Sequence, residues 1–141
     1  MIKPSDLSRS VGKFLSDQTH FSEFVVVADG KKLSKIKNAN TAHVYPGQIE
    51  AYGGGGQLGS SSWAYTVVID IYLPQNQQED HDDGPVGDAV VALGEALPGA
   101  EIRMYRNGED RTGTFVTPSA IKIDLTAGPA ARFEIGFELS G

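Results

Sequence analysis

The sequence predicts an α+β domain in which an antiparallel or mixed β-sheet carries two helices packed on one face. Apolar residues recur at helical spacing in two segments, one near the N-terminus and one after residue 84. Several other segments alternate apolar and polar residues at the period of a β-strand, and they are not interleaved regularly with helices. The 141 residues suffice for one core, so residues 1–141 are expected to fold as a single domain.

The N-terminal segment is predicted to be an amphipathic helix from Pro4 to about Gln18. Ser5 or Asp6 is the expected N-cap. The apolar stripe of this helix consists of Leu7, Val11, Phe14 and Leu15. A strand rich in β-branched residues, Phe24–Val27, follows and is expected to end in a turn.

A basic segment, residues 29–40, leads from this strand to the next. It contains Lys31, Lys32, Lys35 and Lys37. Residues 1–37 hold seven basic and four acidic side chains, whereas residues 38–141 hold five and fourteen. The segment is predicted to be a solvated hairpin tip, and a contact with an acidic partner or a brief contact with DNA is the alternative. The next strand is predicted at Thr41–Tyr45 and ends at Pro46-Gly47.

Residues 53–62 are the most glycine-rich part of the chain, and they are predicted to form a long flexible loop. They do not form a phosphate-binding loop, because the Gly-Lys-Ser/Thr ending is missing and a strand follows instead of a helix. That strand, Trp63–Leu73, has eleven residues and is predicted to be long and central. Its alternation puts Trp63 and Tyr65 on one face and Tyr72 on the other, with one face in the core and one half wet.

An acidic segment, residues 75–84, is predicted to be a solvated loop. The second helix is predicted at Pro85–Leu97, because apolar residues recur there at spacings of four, three and four and proline suits the first turn. Further strands are predicted at Ile102–Arg106, Thr114–Thr117, Ala120–Leu125 and Ala131–Leu139, with a turn at Asn107-Gly108 and a charged hairpin tip at Glu109–Arg111.

No pattern in the sequence indicates catalysis or a bound cofactor. The chain has no cysteine, which removes disulfides, thiolate zinc sites and cysteine nucleophiles. His81 lies among carboxylates that suit a divalent metal, but five adjacent residues cannot easily converge on one ion and no second ligand cluster exists. His20 and His43 have no triad partner nearby in sequence. We therefore expect no catalytic residue, no cofactor and no metal site.

Charge and hydropathy narrow the classes of partner. The formal net charge is −6 at pH 7, which argues against a general affinity for duplex nucleic acid or for an anionic membrane surface. No apolar run approaches the length of a membrane span, and the N-terminus lacks the apolar region of a secretory signal. A protein without membrane partners is expected.

The segment Ser62–Pro74, with the acidic segment and helix that follow it, resembles the tail terminator (tail completion) proteins of long-tailed bacteriophages. In that family a short N-terminal helix leads into strands that end in a "V-Y" segment, matched here by His43-Val44-Tyr45. A flexible insertion then precedes a long strand with a W-x-x-x-hydrophobic pattern that ends in Leu-Pro. A helix and a final antiparallel strand, here Ala131–Leu139, complete the domain. The insertion at residues 53–62 is longer and richer in glycine than the family pattern.

The resemblance implies a structural virion protein, not an enzyme. Its protomers would form a ring, expected to be hexameric, on the last ring of the tail tube. That ring would halt polymerisation of the tube, present a surface to the head-completion or connector protein, and leave a channel through which DNA passes transiently. Assembly in the host cytoplasm and a final location in the neck of the virion are also implied.

Two sets of residues are the candidates for these contacts. The interface set consists of Trp63, Tyr65, Tyr72, Gly53, Gly54, Gly55, Gly56, Lys31, Lys32 and Lys35. The set for an acidic lumen or rim, where carboxylates would repel phosphates and let DNA slide, consists of Glu79, Asp80, Asp82 and Asp83.

Three alternative functions remain open at this point. The chain could be another phage neck or tail-tube component, such as a head-closure protein or the tube protomer. It could instead be a monomeric binding module with a pocket, or a metal-dependent hydrolase built around His81.

Overall fold

The computed structural model describes residues 2–28, 40–52, 62–73, 84–107, 113–126 and 129–140. These ranges contain α1 (Pro4–Ser16), β1 (Val25–Val27), β2 (Thr41–Tyr52), β3 (Ser62–Tyr72), α2 (Pro85–Ala96), β4 (Ile102–Arg103), β5 (Phe115–Val116), β6 (Ala120–Asp124) and β7 (Ala131–Ser140). A short 3-10 helix, Thr19–Glu23, lies between α1 and β1. The basic, glycine-rich and acidic segments and the charged hairpin tip fall largely outside the described residues.

Five of the strands form one mixed sheet in the order β1-β2-β3-β7-β6, so the long strand β3 is central as predicted. β1 and β2 are parallel, and the other neighbouring pairs are antiparallel. The predicted α+β class is confirmed. The predicted basic hairpin between β1 and β2 is wrong, because a hairpin joins antiparallel neighbours and these two strands run in the same direction.

β2 is longer than predicted, because Pro46-Gly47 does not end it. The strand continues to Tyr52, and its pairing with β3 shifts register between Pro46 and Ile49. Such a bulge accommodates a residue that has no N–H to donate. In addition, β1 pairs only with Thr41–His43. Pro46 therefore lies beyond the end of β1, where no hydrogen bond to that strand is needed.

Both helices pack on one face of the sheet, which we call the inner face. One hydrophobic core contains buried residues of both helices and of the sheet: Leu7, Val11 and Leu15 of α1; Val86, Ala89 and Leu93 of α2 with Leu97; and Ala42, Val44, Tyr65, Val67, Ile69, Ile71, Phe133, Ile135 and Phe137 of the sheet. The predicted alternation of β3 and β7 is therefore confirmed. The opposite side of the sheet is called the outer face.

The start of α1 differs from the prediction. Lys3 is the N-cap and makes no side-chain capping bond, while Pro4 supplies the first helical residue, so the expectation of Ser5 or Asp6 as the cap is wrong. Asp6 instead accepts a hydrogen bond from the N–H of Asn107, at 2.7 Å. Ser10 Oγ accepts one from the N–H of Tyr105, at 2.8 Å. The helix thus fastens the segment that follows β4.

β4 and β5 form a separate two-stranded sheet, shorter than the strands predicted there. Asn107 has φ 53°, as expected for the first residue of an Asn-Gly turn. α2 begins at Pro85, and its predicted boundaries are confirmed to within one residue.

Candidate functional site: the outer face of the sheet

The outer face presents the alternate side chains of β2, β3, β7 and β6. Both helices belong to the inner face, so within the described ranges no helix covers the outer one. One end of this face, where β2 and β7 begin and β3 ends, carries His43 and Tyr45 of β2, Asp70 and Tyr72 of β3, and Arg132 of β7. This end of the outer face is therefore polar and aromatic, whereas the inner face of the same strands is apolar.

Asp70 is the central residue of this group. It is 2% exposed although it lies on the outer side of the sheet. Arg132, its direct neighbour on β7, donates from Nε to Oδ1 at 2.8 Å and from Nη2 to Oδ2 at 3.2 Å. The hydroxyl of Tyr45 donates to Oδ2 at 2.7 Å. Three donors from two flanking strands therefore satisfy one carboxylate, in the geometry expected of a strong charge-assisted pair.

Burial and the contacts with Asp70 raise the pKa values of the surrounding groups. Burial, followed by the hydrogen bond to Asp70, raises the pKa of Tyr45 to about 12. The hydrogen bond to Asp70 raises the pKa of the Arg132 guanidinium still further above neutrality. Burial also raises the pKa of Tyr72, with the charge of Asp70 as the second cause. None of these three groups changes charge near neutral pH, so they form a fixed polar surface and not a proton-transfer relay.

Two smaller patches lie on the same face. The aromatic patch consists of His43, Tyr45 and Tyr72, and the rings of the first two lie 4.8 Å apart. The acidic patch consists of Glu134, on the row next to Arg132 and Asp70, and of Glu50 and Glu138, which share a row toward the other end of the sheet. Its only described cation partner is Lys122 on β6, whose Nζ lies 3.7 Å from Glu134.

The structure separates the residues that the sequence proposed as an interface. Tyr72 lies on the outer face and is half-buried. Tyr65 lies in the core at 2% exposure and donates its hydroxyl to the carbonyl of Ile2 at 2.7 Å. Trp63 is half-buried against the same core. The other members, Gly53, Gly54, Gly55, Gly56, Lys31, Lys32 and Lys35, and the rim set Glu79, Asp80, Asp82 and Asp83, lie outside the described residues.

Sequence reasoning missed the group centred on Asp70, although it placed that residue on the half-wet face of β3. The available signal was a single carboxylate inside a long apolar strand, together with a single arginine inside the last strand. A charge in such a position needs a charged or hydrogen-bonding partner. The sequence does not give the register that brings these two residues side by side.

The histidines have structural surroundings where the structure describes them. The ring of His20 packs edge-on against Phe21, with centroids 4.9 Å apart. In the described ranges no group of three His, Cys, Asp or Glu residues is placed to hold a metal ion. None of the helices found there is both long and apolar enough to cross a membrane.

In comparison with known proteins, the sequence matches no family model and no curated protein.

Proposed function

We propose that this chain is a structural subunit of a phage-type tail: a tail terminator that forms a ring, expected to be hexameric, at the end of the tail tube. The ring stops tube polymerisation and joins the tail to head-completion proteins while DNA passes through. The observation that carries the proposal is the one-sided sheet. Both described helices pack on the inner face, and within the described ranges no helix covers the outer face and no strand pairs with either edge of the sheet.

The order of elements gives further support. The family pattern expects an N-terminal helix, strands ending at a "V-Y" segment, a long central strand, a helix and a final antiparallel strand. α1, β2, β3, α2 and β7 follow one another in that order.

The chemistry of the outer face suits a contact with protein. Tyrosine rings offer apolar area and a polar edge, and they lose little conformational entropy when they are covered. The carboxylate of Asp70 already has three donors, so a neighbour that covers it leaves no buried charge unpaired. We therefore assign the aromatic patch to a contact with a ring neighbour or a head-completion protein.

The first experiment is the mass of the purified protein by light scattering across a concentration series, with negative-stain images of the same sample. Closed rings of one size are expected. Open filaments would identify a tube protomer instead, because a tube protein stacks without limit. A monomer that also fails to bind tail tubes in a mixing experiment would favour the binding module.

A substitution on the outer face tests which surface is used. Tyr72→Ser should weaken binding to tail tubes or head-completion proteins while the melting temperature changes little, since Tyr72 is only half-buried. Val91→Ser is the matched control, because Val91 lies on α2 and is 59% exposed away from this face. Equal binding by both variants and the unmodified protein would rule out the aromatic patch as the contact.

A further inference from the structure

The sheet ends in two strands that have no neighbour in the described part of the chain: β1 at one edge and β6 at the other. The N–H of Val25 donates to the carbonyl of Asn40, 2.9 Å away on the β2 side. Successive residues of a strand direct their N–H and C=O groups to opposite sides, so those of Val26 point to the free edge. No described residue pairs with them.

The β1 edge has little protection against pairing. Natural edge strands carry charges, prolines or bulges or are very short, and β1, which consists of three valines, has only its shortness. Val25 on this edge is 50% exposed. A hollow of about 360 Å³ opens beside this edge on the inner face, between α1 and β1. Its floor includes Gly12 and Val26, and Arg9 and Lys13 stand on its α1 side. The hollow can take an apolar side chain from a strand added next to β1.

The β6 edge offers such a side chain. Ile123 is 38% exposed, although it lies on the inner face opposite the fully buried Phe133. Leu125, one residue beyond the strand, is 46% exposed. β6 runs opposite to β1, because three antiparallel pairs and one parallel pair separate the two strands. Val26 and Ile123 both lie on the inner face, but their strands run in opposite directions, so their backbone N–H and C=O groups point to opposite sides. Because β1 and β6 are also at opposite edges, the groups of Ile123, like those of Val26, point away from the sheet.

Charge disfavours the pairing of two β1 edges. Arg9 and Lys13 line the hollow beside β1, so two such edges would bring like charges together. β6 carries one lysine and one aspartate, Lys122 and Asp124, and brings no net charge to the β1 edge. The pairing of unlike edges is a heterologous contact, which gives a ring where the rotation between copies closes and a filament where it does not. A closed ring leaves no free edge.

We propose that the β6 edge of one copy pairs antiparallel with the β1 edge of a second copy, with Ile123 opposite Val26 and its side chain in the hollow beneath α1. This register sets Asp124 opposite Val25 on the outer face. The junction deepens the proposed ring function and rests on it, because it states which surfaces join the subunits.

The absence of native cysteines allows a direct test by disulfide trapping. Val25→Cys and Asp124→Cys proteins are mixed and oxidised. Val25 is a non-hydrogen-bonded position toward the free edge, where opposite Cα atoms lie about 4.5 Å apart, close enough for a disulfide. We expect mixed dimers to exceed the self-dimers of either variant at least fivefold. Lys122→Cys, two residues out of register, and Val91→Cys, on exposed α2, are the controls and should react slowly with Val25→Cys.

Three results would overturn the junction: self-dimers of Val25→Cys as the main product, equal trapping with either control, or no trapping at all. Ile123→Asp provides a second test that needs no cysteine. It should abolish rings in light scattering while the protein keeps a cooperative melting transition, because Ile123 lies at the edge of the sheet and is already 38% exposed.

The experiments distinguish failure of the proposed junction from failure of the proposed ring function. Closed rings without Val25–Asp124 trapping would reject the junction and leave the tail terminator proposal in place. Efficient trapping in open filaments that do not cap tail tubes would reject the terminator and leave the junction in place.

Discussion

A single residue, Asp70, organises the outer face of the sheet. Replacing it by alanine leaves the guanidinium of Arg132 and the hydroxyl of Tyr45 without their acceptor. Losing one partner of a buried pair costs about 3–5 kcal/mol. Because the Arg132 side chain is 34% exposed, we expect a smaller loss here, about 2–3 kcal/mol. Urea denaturation of Asp70→Ala measures this loss in the free energy of unfolding.

The matched control for Asp70→Ala is the surface pair of Lys122 and Glu134, whose side chains are 74% and 40% exposed. Glu134→Ala removes an ion pair from the same face of the sheet. An exposed pair contributes less than about 1 kcal/mol, so this variant should unfold close to the unmodified protein. A loss as large as that of Asp70→Ala would show that burial is not the reason for the difference.

Tyr45 makes stability depend on alkaline pH. Its pKa in the folded protein is about 12, against 10.0 for an unperturbed tyrosine, because of burial and the hydrogen bond to Asp70. Above pH 10 the unfolded chain loses this proton while the folded chain keeps it, so the free energy of unfolding falls as pH rises toward 12. The contribution is fully present below pH 10.

The Tyr45→Phe variant tests that linkage. It removes the titrating group, so its free energy of unfolding should fall less steeply between pH 10 and 12 than that of the unmodified protein. Urea titrations at several pH values in this window give both slopes. Equal slopes would mean that the folded environment does not hold the tyrosine proton.

At the scale of elements, the approach of α1 to β1 depends on Gly12. A Cβ atom at this position would overlap the Cβ of Ala28, whereas a Cβ at Gly94 of α2 would meet nothing within 4 Å. Gly94→Ala should therefore stabilise the protein by about 0.5–1 kcal/mol through helix propensity. Gly12→Ala gains the same helix propensity, but its methyl group pushes α1 away from β1. This overpacking should lower the free energy of unfolding by about 1–3 kcal/mol.

Thermal melting of the two alanine variants compares these effects directly. We expect opposite shifts in melting temperature, upward for Gly94→Ala and downward for Gly12→Ala. A stabilised Gly12→Ala protein would show that α1 can move away from β1 without cost.

The connection between β2 and β3 gives a second prediction at this scale. Tyr52 and Ser62 are paired residues, so the segment between them closes a hairpin. Deleting Gly53–Gly56 leaves five residues, which still suffice for a hairpin loop of about 2–5 residues. We expect an unchanged cooperative melting transition and weakened docking to tail tubes. Loss of cooperative melting would instead assign these glycines to folding.

The periodicity of apolar residues predicts where the helices and strands lie, but it does not predict which strands pair or in which direction. α2, β3 and β7 have long, regular apolar patterns, and the sequence predicts them to within one or two residues. The parallel pairing of β1 with β2 depends on long-range contacts that leave no local pattern. The register shift after Pro46 was hidden, because Pro-Gly in a sequence more often ends a strand than bulges it. The pairing of Asp70 with Arg132 could not be predicted either, because it depends on the register between β3 and β7, which leaves no local pattern in the sequence.

At the scale of the whole molecule, the acidic balance bears on how DNA would pass. Six copies of a chain with a net charge of −6 carry −36 formal charges. In the proposed ring these charges would repel phosphates, whereas basic contacts would release counterions and hold the DNA. Each chain concentrates four acidic side chains in residues 79–83.

Neutralising Glu79, Asp80, Asp82 and Asp83 as amides should therefore change DNA retention or passage in assembled particles, because it removes 24 charges from a six-membered ring. The measurement is infectivity together with the DNA content of purified particles. A control of the same charge change uses the exposed residues Asp88, Glu95, Glu101 and Glu138. If only the first set alters DNA handling, the rim assignment holds, whereas equal effects would point to net charge alone. Particles of the first variant with full infectivity and normal DNA content would remove the acidic rim from the proposed function.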